Sequence, residues 1–285
     1  ISVANGGMAL ARPADFDGEL LIRNGVAGRK ELEHRFGIRD IGLYFNADTA
    51  CGASQMPQLI RLMGHKYYRF MRPEEALRRL SVPYQFIWRG LDGSEVAVAR
   101  GEYGACLWCE WDQMDGRPWS ERRDAFVKEE LSSKLDCGLT DQMLFNIGQD
   151  DCLPMLNIRD RPYRLEALMR EWNEKESSRM FFSTFEAFFR ALSEKQLPVW
   201  EGPLDRVDLM FNAPFRVDRS LRKLRLAAGR LLLSCERLNA IACAMGVQSA
   251  EGEIGALWMR LFRFSGHAMQ HLLGRDYDEA RDGAT

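Results

Sequence analysis

The sequence lacks several features that would point to a membrane, a nucleic acid or an oxidising compartment. Its longest apolar runs, such as residues 231–233 and 241–245, fall far short of the roughly 20 residues that cross a bilayer, so no membrane segment is expected. The net charge of -2 gives no reason to expect nucleic acid or an anionic membrane as a partner. A neutral or small partner is expected, and a homo-oligomer is left open.

Cysteine pairs are scarce as well. The seven cysteines are an odd number, and only Cys106 and Cys109 have Cys-x-x-Cys spacing, which indicates reduced thiols and a cytoplasmic protein. A zinc ribbon would need a second pair about 15 to 20 residues on, and the next cysteine, Cys137, stands alone. The chain begins at Ile1 rather than methionine, so we expect the true N-terminus, with any signal peptide, to lie upstream.

From residue 20 to about 198, short apolar runs alternate with amphipathic stretches, which is typical of α/β proteins. Gly37 and Gly64 follow amphipathic stretches and predict the ends of helices, and the hydroxyls of Ser183-Thr184 predict the start of another. Asp92-Gly93 between two β-type runs predicts a hairpin. We expect a mostly parallel sheet covered by helices. The predicted strands are 41–45, 66–71, 85–88, 95–99 and 144–147, and the predicted helices are 29–36, 56–63, 164–176 and 185–192.

After Pro203 the pattern changes to long helical stripes. A second stripe follows Gly246, so the C-terminal third is expected to form an antiparallel helical hairpin or part of a bundle. We therefore expect two domains, 1–203 and 204–285. The first stripe is Leu221, Leu224, Ala228, Leu231, Cys235, Leu238 and Ala242, and the second is Ile254, Leu257, Leu261, Ser265, Ala268 and Leu272.

Acidic residues follow two of the predicted strands. Asp48 comes soon after the strand 41–45, at the carboxyl end where α/β folds place catalytic side chains. Asp150 and Asp151 follow the strand 144–147 and Gly148 in the same way. Paired carboxylates from different strand ends serve glycoside hydrolysis, one as nucleophile or base and one as proton donor. The alternatives are a helix cap or turn at Asp48 and an Asx turn ahead of Pro154.

Histidine and aromatic residues supply further candidates. His267 and His271 stand one helical turn apart, a spacing that can present two imidazoles to one metal, although a structural role is the alternative. Trp88 and Tyr103 could line a sugar site, with core packing as the alternative. The basic stretches 219–230 and 260–263 are expected to be solvated helix faces.

Several segments together resemble glycoside hydrolase family 38, the α-mannosidases. Asp48 and the downstream Met56-Pro57-Gln58-Leu59 resemble the family's catalytic aspartate and the helix start after it. Residues 86–96, FIWRGLDGSEV, resemble the family's Phe-x-Trp-x-Gly-x-Asp-Gly-Ser segment, the most specific match. Residues 220–238 resemble the first helix of the family's bundle.

The resemblance implies a zinc-dependent, retaining exo-α-mannosidase acting on α-mannoside oligosaccharides. Its fold would be a seven-stranded α/β barrel, truncated at its N-terminus in this chain, followed by a helical bundle. Asp48 would be the nucleophile and a zinc ligand, Asp150 or Asp151 the acid/base, and His267 a second zinc ligand.

The chain also departs from the family pattern. The family's first strand carries a His-x-Asp pair that supplies two more zinc ligands, and none of the four histidines here is followed by x-Asp. We therefore expect these 285 residues to be an inactive fragment of the enzyme. Two alternatives stay open: a metal-dependent carbohydrate deacetylase of related fold, and a non-catalytic sugar-binding module.

Overall fold

A mixed five-stranded β-sheet organises the part of the chain that the structure describes. The structure is a computed structural model and describes residues 3–10, 13, 16–50, 52–72, 74–101, 116–135, 137–138, 140–145, 165–204 and 219–266. The strands are β1 (Leu43–Ala50), β2 (Tyr67–Arg72), β3 (Gln85–Arg89), β4 (Glu95–Ala99) and β5 (Val199–Glu201).

The sheet has the strand order β1-β2-β4-β3-β5. Strands β1, β2 and β4 are parallel, which confirms the predicted arrangement for these three. Strand β3 is antiparallel to β4, as the hairpin signal predicts, and β5 is parallel to β3. The expectation of a mostly parallel sheet therefore fails at β3 and β5, which run against the other strands.

The helices begin and end largely at residues with the predicted capping chemistry. Gly37, Gly64 and Gly246 all have positive φ, and Gly37 donates its N–H to the carbonyl of Glu33. Thr184 caps its helix by accepting a hydrogen bond from the N–H of Ala187. None of the described helices is long and apolar enough to span a membrane. They are α1 (Gly18–Phe36), α2 (Met56–Leu62), α3 (Glu74–Arg79), α4 (Trp119–Phe126), α5 (Ser132–Leu135), α6 (Leu165–Lys175), α7 (Phe185–Leu192), α8 (Arg219–Ala244) and α9 (Glu251–Arg263), with a π-helical turn at Val127–Leu131.

Helix α1 is much longer than the predicted 29–36. It begins at Gly18 and is capped by Asp17, whose carboxylate accepts a hydrogen bond from the N–H of Leu20 at 2.8 Å. Gly25 and Gly28 lie inside the helix where neighbouring groups approach closely. A methyl group at Gly28 would lie 2.0 Å from the carbonyl oxygen of Gly6. These glycines therefore allow close packing and do not end the helix.

Two predicted strands differ from the structure. Strand β1 continues to Ala50, five residues beyond the predicted end. Leu144 and Phe145, the described part of the predicted strand 144–147, are not in a strand. Phe145 instead joins a small aromatic cluster, with its ring 5.6 Å from that of Phe126. A four-residue run with three apolar members does not by itself distinguish a strand from a loop that packs one aromatic side chain.

Helices α8 and α9 form an antiparallel hairpin. Glu236 of α8 accepts a hydrogen bond from the indole of Trp258 on α9, and Asn239 accepts one from the N–H of Ala250. The predicted stripe on α8 is wrong in phase, because Leu231 and Leu238 are about two-thirds exposed. The buried positions are instead Arg225, Gly229 and Leu232.

Both faces of the sheet are covered. One face packs against α1, α2 and the α8–α9 hairpin in a single hydrophobic cluster that includes Tyr68, Trp88 and Trp258. The other face, with Leu43 and Ala99, packs against α7. Phe185 of α7 contacts Phe45 and Phe189 contacts Tyr67, so α7 runs antiparallel to the parallel strands and begins towards their carboxyl ends.

Candidate active site

The carboxyl ends of β1, β2 and β4 share one edge of the sheet because these strands are parallel. Asp48 lies in β1 near this edge. Asn46 pairs with Phe70 and Ala50 with Arg72, so the register shifts between them and β1 bulges around Asp48. Bulges of this kind re-aim side chains and are frequent beside active sites.

The helix-cap alternative for Asp48 is wrong. The residue at the N-cap position of α2 is Gln55, which makes no side-chain cap, and Asp48 lies seven residues earlier, inside a strand. The proposed catalytic position of Asp48 is therefore compatible with its place at the carboxyl end of a parallel strand. Its side chain lies outside the described structure.

Beside Asp48, polar and aromatic side chains of the strands form a packed layer. The amide of Asn46 donates a hydrogen bond to the hydroxyl of Tyr68 at 3.3 Å. The rings of Tyr68 and Trp88 stack with their centroids 6.1 Å apart. Asn46 and both rings are fully buried, so this layer supports the strand ends from within the core.

Trp88 is a core residue in the structure, which is the alternative that the sequence left open. None of its surface is exposed, and its indole N–H donates a hydrogen bond to the carbonyl of Gly202 at 3.0 Å. A ring that stacks on a sugar must offer an accessible face. Trp88 offers no such face, so core packing is its role in the described structure.

The motif around Asp92 builds a turn. Asp92 accepts hydrogen bonds from the hydroxyl and the backbone N–H of Ser94, and these bonds lower the pKa of Asp92. Gly93 has φ of 83°, and Gly90 donates its N–H to the carbonyl of Ser94. This turn immediately precedes β4, so it lies at the amino end of that strand, opposite the edge near Asp48. The Asp-Gly-Ser motif is thus structural.

Arginines are buried near the carboxyl ends of β2 and β4, a feature that the sequence analysis missed. Arg100 follows β4 and donates two hydrogen bonds, to the carbonyls of Pro83 at 3.0 Å and Val82 at 2.8 Å. Arg69 lies in β2 and donates only one described hydrogen bond, to the carbonyl of Ala99 at 3.4 Å. Both are fully buried. The signal in the sequence is a cation inside the apolar run Tyr67 to Met71.

Comparison with known families decides the affiliation of the chain. The model of the "Glycosyl hydrolases family 38 N-terminal domain" matches residues 1–203. The chain belongs to glycosyl hydrolase family 38. The resemblance that the sequence suggested is confirmed, and with it membership in a glycosidase family. No curated protein sequence matches the chain significantly.

Solved structures agree with the family 38 fold. An α-mannosidase from Enterococcus faecalis V583 superposes with a TM-score of 0.67 at 16% identity, over 98% of this chain and 32% of that one. A glycosyl hydrolase family 38 protein from Enterococcus faecalis superposes with a TM-score of 0.60 at 17% identity, over 99% of this chain and 29% of that one. The chain thus spans about a third of the length of these structures.

Most of the predicted site of this family 38 chain lies outside the described residues. This holds for Tyr103, Asp150, Asp151 and His267, so their roles stay predictions. The described segment that leads to His267 ends at Gly266, where a methyl group would lie 3.5 Å from Cβ of Ala9. Among the described residues, no group of three or more His, Cys, Asp or Glu side chains could hold a metal ion.

Proposed function

We propose that the protein is a zinc-dependent, retaining exo-α-mannosidase that removes terminal α-mannose from oligosaccharides or glycans. The observation that carries the proposal is the combination of family 38 membership with the position of Asp48 at the carboxyl end of a parallel strand. Family membership favours glycosidic cleavage over the deacetylase alternative. An α-mannosidase among the similar structures supports mannose as the sugar.

The proposed mechanism uses two carboxylates. Asp48 attacks the anomeric carbon of the terminal mannose while Asp150 or Asp151 protonates the leaving oxygen, which gives a covalent mannosyl-enzyme. The same acid/base residue then deprotonates the water that hydrolyses this intermediate, so the anomeric configuration is retained.

Carboxylate oxygen and imidazole nitrogen are both ligands that zinc accepts, so Asp48 and His267 fit the chemistry of a zinc site. Zinc would supply a template and a Lewis acid for sugar hydroxyls. Catalytic zinc takes three protein ligands, and the two assigned residues provide part of such a set. We therefore expect no turnover from the 285 residues alone and place the test on the full-length protein.

The test is hydrolysis of 4-nitrophenyl α-D-mannoside by the full-length protein, after removal of metal by a chelator and after addition of zinc. We expect activity to follow zinc, and Asp48→Asn to lose at least about 10³-fold in kcat/KM. Asp92→Asn is a matched control, because Asp92 is an exposed carboxylate in the turn before β4. Failure of the zinc-loaded protein to release mannose would overturn the proposal.

Two further measurements separate the assigned roles. Proton NMR of the first product should show α-mannose, because a double displacement retains configuration. Asp150→Asn and Asp151→Asn identify the acid/base. The variant that lacks the acid/base should lose far less activity on a 2,4-dinitrophenyl mannoside than on the 4-nitrophenyl mannoside, because the dinitrophenyl leaving group needs little protonation. The sugar-binding module would instead be supported if the protein binds mannose without turnover and if neither a chelator nor Asp48→Asn changes this binding.

A further inference from the structure

The guanidinium of Arg69 is a buried cation, and one of its sides has no hydrogen-bond partner among the described residues. The side chain is fully buried in β2, and Nη1 donates its hydrogen bond to the carbonyl of Ala99 at 3.4 Å. Nε and Nη2 are buried without a hydrogen-bond partner in the described part of the structure. A buried charge without a partner is costly, and proteins almost always pair it.

The two unused nitrogens form one edge of the guanidinium. Nε–H and Nη2–H point the same way, and this edge is the fork that binds the two oxygens of a carboxylate or phosphate side by side. Arg100 on the neighbouring strand differs, because its Nε and Nη2 both donate to backbone carbonyls. The open edge is thus specific to Arg69 and is not shared by the other buried arginine next to it.

The guanidinium of Arg69 lies close to the backbone of Gly101 and near the amino end of α7. Residue 101 is glycine, and a methyl group there would lie 2.4 Å from Nη2 of Arg69. The guanidinium carbon lies 5.9 Å from the ring centre of Phe185, the first residue of α7. The amino end of a helix attracts negative charge. Glu186 in the first turn of α7 does not serve Arg69, because it pairs with Arg190 at 2.8 Å.

We infer that the Nε and Nη2 edge of Arg69 is a binding site for an oxyanion, a carboxylate or phosphate, near the carboxyl end of β2. There are two candidate sources of this oxyanion, and both have the same chemistry. One is Asp48, which lies on the adjacent strand three residues beyond Phe45, the residue that pairs with Arg69. The other is the acidic group of a bound ligand. The site does not depend on mannosidase activity, and its tests use stability and not turnover.

The first test measures the melting temperature of the chelator-treated protein with inorganic phosphate and with D-mannuronate. If a ligand supplies the oxyanion, either probe should raise the Tm of the wild type by at least about 2 °C and leave Arg69→Met unchanged. In buffer alone, Arg69→Met should then match or exceed the wild type, because it removes an unpaired buried charge. Arg69→Lys keeps the charge without the fork and should lose most of the shift.

The second test is a double-mutant cycle of Arg69→Met with Asp48→Asn. If Asp48 supplies the oxyanion, each single variant should lower the Tm, and the Tm loss of the double variant should be smaller than the sum of the two single losses. Neither phosphate nor D-mannuronate should then change the Tm of the wild type. Arg100→Met is the control, because it should lower the Tm whatever probe is present. Additive effects in the cycle together with no probe-dependent shift of the wild type would overturn the inference.

Discussion

The indole nitrogen of Trp88 donates a hydrogen bond to the carbonyl oxygen of Gly202 at 3.0 Å, which ties β3 to the segment that leaves β5. Trp200 pairs with Trp88 in the register of these two strands. The indole nitrogen of Trp200 is also buried, but it has no hydrogen-bond partner in the described structure. The two tryptophans therefore differ in whether the N–H is satisfied and in burial, because Trp88 is fully buried and Trp200 only partly buried.

This difference predicts losses of stability of different size for the same substitution. Trp88→Phe should lower the free energy of unfolding by about 2 kcal/mol or more, because it removes the hydrogen bond to the carbonyl of Gly202 and packed volume from the core. Trp200→Phe should cost less than about 1 kcal/mol, since it removes a buried donor that is already unpaired. Urea unfolding of the two variants measures both values, and equal losses would contradict the assignment.

A second matched pair concerns glycines inside helices. Gly28→Ala in α1 should cost about 1 to 3 kcal/mol, because its methyl group would lie 2.0 Å from the carbonyl oxygen of Gly6. Gly255→Ala in α9 should instead add about 0.5 to 1 kcal/mol, because no atom lies within 4 Å of that methyl position. The check is the urea midpoint of each variant. A stabilised Gly28→Ala would mean that residues 3–10 do not pack on α1 as described.

The sequence predicted the features that depend on neighbours along the chain. The hairpin at Gly93, the helix ends at Gly37 and Gly246, and the cap at Thr184 all follow from local backbone chemistry. Each needs only a few adjacent residues, since a positive φ or a side-chain cap is decided within one turn.

Features that depend on distant contacts were not predictable in the same way. Gly28 lies inside a helix because Gly6 packs against it, and the buried side of α8 is set by α9, so Leu231 is exposed despite its helical spacing. At the candidate site, the sequence placed Asp48 just after a predicted strand, whereas the structure extends β1 through it, and the bulge comes from pairing with β2. The open edge of Arg69 depends on where Ala99 and Gly101 lie in space.

A third prediction concerns the attachment of the helical hairpin to α1. Glu236 accepts hydrogen bonds from Nη1 of Arg23 at 2.7 Å and from the indole of Trp258 at 2.8 Å. The ion pair is about one-third exposed, so Glu236→Ala should cost only about 1 to 2 kcal/mol, mostly from the two lost hydrogen bonds.

Unfolding followed by tryptophan fluorescence and by circular dichroism checks this value. Glu253→Ala, which removes an exposed carboxylate from α9, is the control and should change the stability by less than about 0.5 kcal/mol. Equal effects of the two variants would show that the contact between α1 and the hairpin does not depend on Glu236.

The fourth prediction follows from His65, which is buried at the amino end of β2. Its Nδ1 lies 2.7 Å from the carbonyl oxygen of Ile41, so Nδ1 must carry a proton and donate it. Nε2 is buried without a hydrogen-bond partner in the described structure. Burial, reinforced by the positive charge of Arg29, lowers the pKa of His65 from 6.5 to about 4.

This shift fixes the sign of the pH dependence. Below pH 6.5 the unfolded chain takes up a proton at His65 that the folded chain does not accept until about pH 4. Stability is therefore complete above about pH 7 and falls as the pH drops towards 4. A pKa lowered from 6.5 to about 4 corresponds to a loss of about 3 kcal/mol over this range.

The variant His65→Asn isolates this contribution, because its amide can still donate to Ile41 but does not titrate. Its unfolding free energy, measured by urea titration between about pH 7 and pH 4, should fall by about 3 kcal/mol less than that of the wild type. His34→Asn, at an exposed position in α1, should keep the wild-type acid dependence. Parallel curves for His65→Asn and the wild type would mean that His65 titrates equally in both states and is not held neutral by the core.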